Sequence, residues 1–472
     1  MRRGRENLKN NRGGNLSPSA KHYHFIGIGG IGMSGIAQLL LRSGATVSGS
    51  DLKESKATQE LRALGAVVFI GHSAQNINGA DVVVYSSAIK EDNPEFAQAK
   101  TKGILIKRAQ ALAGLMQDKT VITVSGSHGK TTTTSLISYL LLEAGLNPTA
   151  AIGGILRNVD NNALLGTGKY FVAEADESDG SFLYYRPKYS IITNIDHEHL
   201  DYYKDFKREV EAFSEFIRNT EKDGCVFACD DDKNLKDILR DFKIKKVLFG
   251  MKESADIYPK NIEMAGLSCD FDCYYKGRPV DKFHLALGGE HNISNSLAVI
   301  ALGLELGIAL DFIKKTLALY KGAKRRLEIK FMNQDYLLID DYAHHPTEIQ
   351  ATLAAAKNLN AKRMIAIFQP HRYTRTQLLM EELGKSFGPA DYVLITDIYA
   401  ASEPPIEGVS AKSVYDKIKM SDPDKKVVYL AKEKITEHIL EIITPGDMVI
   451  IMGAGDIVRI GDELAEKLKD KS

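Results

Sequence analysis

Tryptophan is absent from this sequence, cysteine occurs four times in 472 residues, and 61 basic side chains are balanced by 61 acidic ones. Each shortage excludes a class. Four cysteines cannot staple a chain of this length, so a disulfide framework is ruled out. They fall as Cys225/Cys229 and Cys269/Cys273, a spacing that invites zinc. Both pairs lie in alternating, strand-like stretches where positions i and i+4 merely share a face, so they read as buried or edge cysteines of a reducing cytoplasm. Zero net charge offers no electrostatic case for nucleic acid, which demands a basic excess. No run approaches the roughly 18 consecutive apolar residues of a membrane helix. The opening Met1-Arg2-Arg3-Gly4-Arg5 and the residues to 20 are basic and polar without an apolar core, which reads as a flexible tail and not a secretory signal. Short-period repeats and low-complexity tracts are also missing.

What remains is 44% hydrophobic and 26% charged, the composition of a soluble globular protein with about three domains. Strands alternate with helices in three stretches, 21–108, 109–321 and 322–472. The predicted strands include 22–26, 81–85, 120–123, 170–173, 189–193, 336–339, 363–368, 392–395 and 447–451, and a long apolar helix runs from about 293 to 306. Alternation of this kind predicts an α/β chain with doubly wound parallel or mixed sheets. Ligands of such sheets bind at the carboxyl ends of the strands, and every motif below sits there.

The most informative motif follows the strand at 120. Gly126, Ser127, His128, Gly129, Lys130, Thr131 and Thr132 form a glycine turn that opens a helix. Converging backbone N–H groups and the helix dipole favour phosphate there; Lys130 can reach the β/γ-phosphates, and the Thr131 hydroxyl can sit on Mg2+. The usual P-loop has another glycine where Val124 stands, so this loop is a variant. Two acidic segments follow. Glu174-Ala175-Asp176-Glu177-Ser178-Asp179 closes one strand and reads as a Mg2+ site in which only one or two carboxylates touch the ion. Thr193-Asn194-Ile195-Asp196-His197-Glu198-His199-Leu200-Asp201 closes the next, and His199, ahead of His197, is the expected ligand of a second Mg2+.

Near the start, Gly27, Gly29, Gly30 and Gly32 form a turn that matches the dinucleotide fingerprint, with Asp51 ending the next strand. Taken alone it suggests a nicotinamide enzyme. A separate triphosphate loop downstream makes hydride chemistry redundant and favours a different diphosphate. In the last stretch, Asp340-Asp341-Tyr342-Ala343-His344-His345-Pro346-Thr347 and Phe368-Gln369-Pro370-His371-Arg372-Tyr373-Thr374-Arg375 each follow a strand, and paired arginines suit bidentate capture of a carboxylate or phosphate. Gly289 to Asn295 opens the long helix, either as a cap or with asparagine amides for an adenine edge.

In this order, over about 430 residues, these segments resemble the Mur ligases, and within them the alanine-adding branch. The P-loop without its upstream glycine is that family's form. The resemblance implies a Rossmann-like N-terminal domain, a P-loop central ATPase domain and a Rossmann-like C-terminal domain. It implies ATP-dependent joining of L-alanine to the lactyl carboxylate of UDP-N-acetylmuramate through an acyl phosphate, in peptidoglycan precursor synthesis, by a cytoplasmic monomer or weak homodimer. By the same resemblance Ser50, Asp51 and Ser87 join the glycine turn at the uridine diphosphate. His291, Asn292, Asn295, Arg326 and Asp341 line ATP beside the P-loop, and His344, Arg372 and Arg375 hold the amino acid. Lys130, Glu174, His199 and His344 carry the catalysis, with Thr131, Glu174 and His199 on metal. The nearest alternative joins a recycled tripeptide to the same UDP-sugar. A nicotinamide dehydrogenase and a non-catalytic nucleotide-binding regulator are the readings from other classes.

Overall fold

A computed structural model describes residues 21–401 and 403–470; the expected N-terminal tail lies outside them. The described chain is α/β with three sheets, as the alternation predicts. The first sheet contains β1 (His22–Ile26), β2 (Thr46–Asp51), β3 (Val67–Ile70), β4 (Val82–Tyr85) and β5 (Leu105–Lys107), in the order β3-β2-β1-β4-β5. All its pairings are parallel, so the carboxyl ends of the strands share one edge. Phe25, Ile26, Val83 and Val84 are fully buried, as strands covered on both faces require.

The second sheet has ten strands: β6 (Thr120–Ser125), β7 (Thr149–Leu156), β8 (Asn161–Leu164), β9 (Tyr170–Glu174), β10 (Tyr189–Ile192), β11 (Cys225–Cys229), β12 (Lys246–Phe249), β13 (Ile257–Ala265), β14 (Ser268–Tyr275) and β15 (Arg278–Leu285). Their order is β15-β14-β13-β12-β11-β10-β6-β9-β7-β8. The decisive feature is that β6 lies between β9 and β10, parallel to both, with Val124 opposite Glu174 and Ser125 opposite Ile192. The two acidic segments therefore emerge on either side of the P-loop. The third sheet holds β16 (Glu328–Met332), β17 (Tyr336–Asp341), β18 (Arg363–Phe368), β19 (Tyr392–Ile395), β20 (Lys426–Tyr429) and β21 (Asp447–Met452), in the order β16-β17-β21-β18-β19-β20. Only β16 runs antiparallel to its neighbour.

The chain divides into two compact units. One comprises the described residues up to Tyr258, with Tyr275–Arg278 and Asn295–Thr316; the other comprises Pro259–Tyr274, Pro279–Ser294 and the described residues from Leu317 onward. Within the first, Asn162 Nδ2 donates to Ile31 O at 2.7 Å, tying β8 to the helix Ile31–Arg42 that follows the glycine turn.

The cysteines are all buried and none is in a disulfide. Burial pushes the thiols of Cys225, Cys269 and Cys273 up to about 12, which keeps them protonated and poor metal ligands. Among the described residues, no cluster that could hold a metal includes a cysteine.

The helix Phe206–Arg218 starts at Asp205, whose side chain accepts from Arg208 N, a standard carboxylate N-cap. It buries Phe213 and Phe216 completely against Phe182, whose ring lies 5.3 Å from the first, edge-on, and 4.8 Å from the second, stacked. Phe213→Ala should therefore lower the stability of this unit by about 3–5 kcal/mol, measured as an earlier unfolding transition in urea. A shift below about 1 kcal/mol would mean that the aromatic cluster is not a core.

Candidate active site

Two glycines fix the P-loop. Gly126 has φ 129°, and a Cβ there would lie 2.2 Å from Thr193 Oγ1. Gly129 has φ 85°, and its Cβ would lie 2.6 Å from Asn295 Oδ1. Only glycine satisfies both demands. The loop is clamped to the neighbouring strand end: Ser127 N donates to Asn194 O at 3.0 Å, His128 N to Asn194 Oδ1 at 2.8 Å, and His128 Nε2 lies 2.9 Å from Asp196 Oδ2.

Lys130, first residue of the helix Lys130–Glu143, folds back across the loop. Its Nζ donates to Gly126 O at 2.6 Å, Ser127 O at 3.1 Å and Glu177 Oε1 at 2.8 Å. Burial works against its charge, yet Glu177, Asp176, Glu174 and Glu198 together hold the ammonium above its ordinary value. It is therefore a permanent cation.

The acidic run 174–179 divides its labour. Thr131 Oγ1 donates to Glu174 Oε2 at 2.9 Å, bringing together the two residues expected on one Mg2+. Asp176 faces Arg108, with Nη2 to Oδ2 at 3.2 Å. Glu177 faces Lys130 and His199. Asp179 accepts from Ser181 N at 3.0 Å and turns the chain. His199 stands with different carboxylates from those the sequence suggested: its Nε2 is 3.3 Å from Glu177 Oε1 and 3.4 Å from Glu198 Oε2. These three residues offer ligand atoms within 4.8 Å of one another, and the second oxygen of Glu177 is buried without a hydrogen-bond partner. An orphaned carboxylate oxygen beside an imidazole fits a divalent cation. His197 instead stacks on Phe206 at 3.9 Å. Although burial disfavours its charge, hydrogen bonds donated to Glu177 and Glu198 push the His199 imidazole up to about 10.

Glu177, Glu198 and Glu209 are the members of this site that the sequence did not single out. Glu198 adjoins His199 and could have been inferred. Glu209, on the helix Phe206–Arg218, gives no motif. It is fully buried with neither oxygen hydrogen-bonded, and burial, aided by Glu177, Glu198 and Asp196 and opposed by His199, pushes it up to about 8.

In the N-terminal sheet, Ser50 and Asp51 end β2, and Ser87 lies exposed in the turn after β4. Ser50 is turned inward: its hydroxyl donates to Glu95 Oε2 at 2.5 Å and lies 3.0 Å from His72 Nδ1. Asp51 Oδ2 accepts from Gly29 N at 2.9 Å.

The second unit gathers a separate cationic and aromatic group. His344 Nδ1 lies 3.0 Å from Tyr342 O and 3.3 Å from Glu348 Oε2. Both are acceptors, which places a proton on Nδ1. Arg372, at φ 68°, donates from Nε to Glu403 Oε1 at 2.5 Å. Arg375 Nη1 is 3.2 Å from His371 Nδ1, and the His371 ring stacks on Tyr399 and meets His344 edge-on. Burial, then His344, Arg375 and Arg372, push His371 down to about 3, so it stays neutral. Arg326 lies over the Tyr342 ring at 5.2 Å and 3.7 Å from Glu348 Oε1. Asp341 serves the backbone, accepting from Leu327 N at 2.7 Å and Ala343 N at 2.8 Å. Asn292 Nδ2 donates to Gly288 O at 2.8 Å, and burial pushes the neighbouring His291 down to about 4.

Comparison with known proteins gives a consistent result. Three family models match in order: Mur ligase family, catalytic domain, over 22–120; Mur ligase middle domain, over 124–303; and Mur ligase, glutamate ligase domain, over 325–455. The chain is 46% identical over 452 residues to the UDP-N-acetylmuramate–L-alanine ligase of Syntrophus aciditrophicus, covering 95% of this chain and 94% of that protein. It is 45% identical over 448 residues to the ligase of the same name from Geotalea uraniireducens, covering 94% and 98%. Among solved structures, UDP-N-acetylmuramate-alanine ligase from Thermotoga maritima matches with TM-score 0.83 at 30% identity, covering 96% of this chain and all of that one. A murein peptide ligase from Psychrobacter arcticus matches with TM-score 0.72 at 26% identity, covering 95% and 98%.

Two outcomes are expected. Gly126→Ala should weaken binding of a non-hydrolysable ATP analogue by roughly 5- to 150-fold, because backbone strain of roughly 1–3 kcal/mol falls on the loop itself; calorimetric titration reads this directly. The raised pKa of His199 means that its stabilising contribution is fully present below its ordinary value of 6.5 and is lost as pH rises through about 10. In metal-free protein, the stability difference between wild type and His199→Asn should shrink across that window. A difference independent of pH would show that the imidazole is not held as a cation.

Proposed function

We infer the reaction from one premise: the chain belongs to the Mur ligase family. It is a ligase that joins L-alanine to UDP-N-acetylmuramate in peptidoglycan synthesis, the activity named for its relatives at 43–46% identity. The observation that carries a phosphoryl-transfer mechanism is the permanent cation Lys130, packed into a glycine loop among four carboxylates.

A carboxylate is a poor acyl donor, because attack by an amine would have to expel oxide. ATP answers this by giving its γ-phosphoryl group to a carboxylate oxygen of the substrate, which releases ADP and leaves an acyl phosphate. The L-alanine amine then attacks the acyl carbon, the C–O bond to phosphate breaks, and orthophosphate departs with the oxygen it acquired. In the first step the protein mainly positions groups and neutralises charge. Lys130 would leave its loop carbonyls for the β/γ-phosphates. Mg2+ held by Thr131 and Glu174, with a second ion on Glu177, Glu198 and His199, would supply further neutralisation of phosphoryl charge. In the second unit, the Arg375 guanidinium would take the amino-acid carboxylate. Arg372, committed to Glu403, would shape the pocket, and His344 would accept the amine proton. In the first unit, Asn295 and the P-loop would line the nucleotide; His291, Asn292, Arg326 and Asp341, to which the family resemblance gives a nucleotide role, belong to the second unit. No helix among the described residues is long and apolar enough to cross a membrane, and a cytoplasmic setting suits the ATP requirement and four cysteines outside any disulfide.

The likeness to a murein peptide ligase keeps one alternative in the same fold, with a tripeptide as amine. Phosphate release from UDP-N-acetylmuramate and ATP should depend on L-alanine and ignore the tripeptide. With 18O in the sugar's carboxylate, one label should pass into the released phosphate. Turnover with tripeptide alone would replace the substrate assignment, and unlabelled phosphate would remove the acyl phosphate.

A further inference from the structure

The glycine turn of the first sheet has a charge problem. A diphosphate is multiply anionic, and residues 27–34 contain neither lysine nor arginine. Nor are the turn's early amides available. Gly27 N and Ile28 N donate to Ser50 O at 2.8 and 2.9 Å, Gly30 N to Gly27 O at 3.2 Å, and Gly29 N to Asp51 Oδ2 at 2.9 Å. The carboxylate of Asp51 sits so close that a Cβ on Gly29 would lie 2.8 Å from it. Only the first-turn amides of the helix Ile31–Arg42 are left to face an anion, and alone they are a weak counterweight to a diphosphate.

The missing cation comes from another strand end. Arg108 opens the helix Arg108–Leu115 directly after β5, on the edge where the glycine turn leaves β1. Its guanidinium lies across the first turn of the helix Ile31–Arg42: a Cβ on Gly32 would be 2.7 Å from Nη1 and 3.4 Å from Cδ and Cζ. The third glycine of the fingerprint, normally explained by helix–strand packing, here makes room for a guanidinium. On its other side Nη2 donates to Asp176 Oδ2 at 3.2 Å, the guanidinium's one hydrogen bond among the described residues. Its remaining N–H groups stay available, and the side chain is 23% exposed.

We propose that Arg108 is the phosphate-binding cation of the nucleotide-sugar site, with its guanidinium seated over Gly32, braced by Asp176, and closing on the diphosphate. The inference rests on the reading that this domain takes a uridine diphosphate sugar. Arginine suits the task because a planar fork can hold Asp176 with one edge and phosphate oxygens with the other, which lysine cannot do. Asp176 belongs to the acidic run that surrounds Lys130. One ion pair thus links capture of the sugar nucleotide to the place where ATP reacts.

Calorimetric titration of the full chain with UDP-N-acetylmuramate, UDP, uridine and ADP tests this. Arg108→Ala should weaken UDP-N-acetylmuramate and UDP by roughly 10- to 100-fold and leave ADP unchanged. Uridine, which lacks the diphosphate, should lose nothing. In the assay, KM for the sugar nucleotide should rise while KM for ATP and L-alanine holds. Undiminished UDP affinity would overturn the inference while leaving the nucleotide-sugar reading intact. Wild-type protein that bound neither UDP nor the sugar nucleotide would sink that reading and the inference with it. Should Arg108→Ala also lose ADP, Arg108→Lys decides: reduced UDP affinity with normal ADP affinity supports the fork, and wild-type UDP affinity overturns it.

Discussion

The structure depends on one piece of register: β6 runs parallel between β9 and β10, so a glycine loop and two acidic strand ends are forced to one point. Like charges crowded there would repel strongly at low dielectric. Lys130 resolves the conflict by lying among Glu174, Asp176, Glu177 and Glu198, while His199 is held as a cation by Glu177 and Glu198. Cations placed this way are in position for phosphate before it arrives, whereas a divalent ion ligated by His199 would have to displace that proton.

Some of the local backbone strain lies at or beside candidate site residues. His199 at φ 56°, Arg325 at 60°, Leu327 at 46° and Arg372 at 68° all adopt left-handed conformations without being glycine. Such residues persist only where their surroundings over-determine them. Arg325 illustrates how: it bonds Asp340 Oδ2 at 3.1 Å and Gly453 O at 2.5 Å. Arg372 is similarly tied through Glu403. In both cases a charge-assisted hydrogen bond holds the side chain whose backbone is strained.

The fold was largely legible. Each of the strands expected at 22–26, 363–368 and 392–395 has the observed bounds, because buried parallel strands are short apolar runs ended by glycine or polar residues. The P-loop helix begins at Lys130, earlier than apolar spacing alone suggests, because its first turn is made of threonines that satisfy no hydrophobic pattern. At the site, Thr131 beside Glu174 was readable from motif position. The pairing of His199 with Glu177 and Glu198, the inward turn of Ser50 onto Glu95, and the grip of Glu403 on Arg372 were not. Those contacts join residues far apart in sequence or on opposite faces of one loop, and no local pattern encodes them.

Composition, alternation and motif order were enough to point to an α/β chain with a phosphate-binding loop, because glycine turns and strand ends impose their chemistry locally. Tertiary structure alone decided which carboxylate meets which cation. That choice belongs to strand order and to the space left at single glycines such as Gly32, where the lack of a side chain lets a guanidinium from another strand end come to rest.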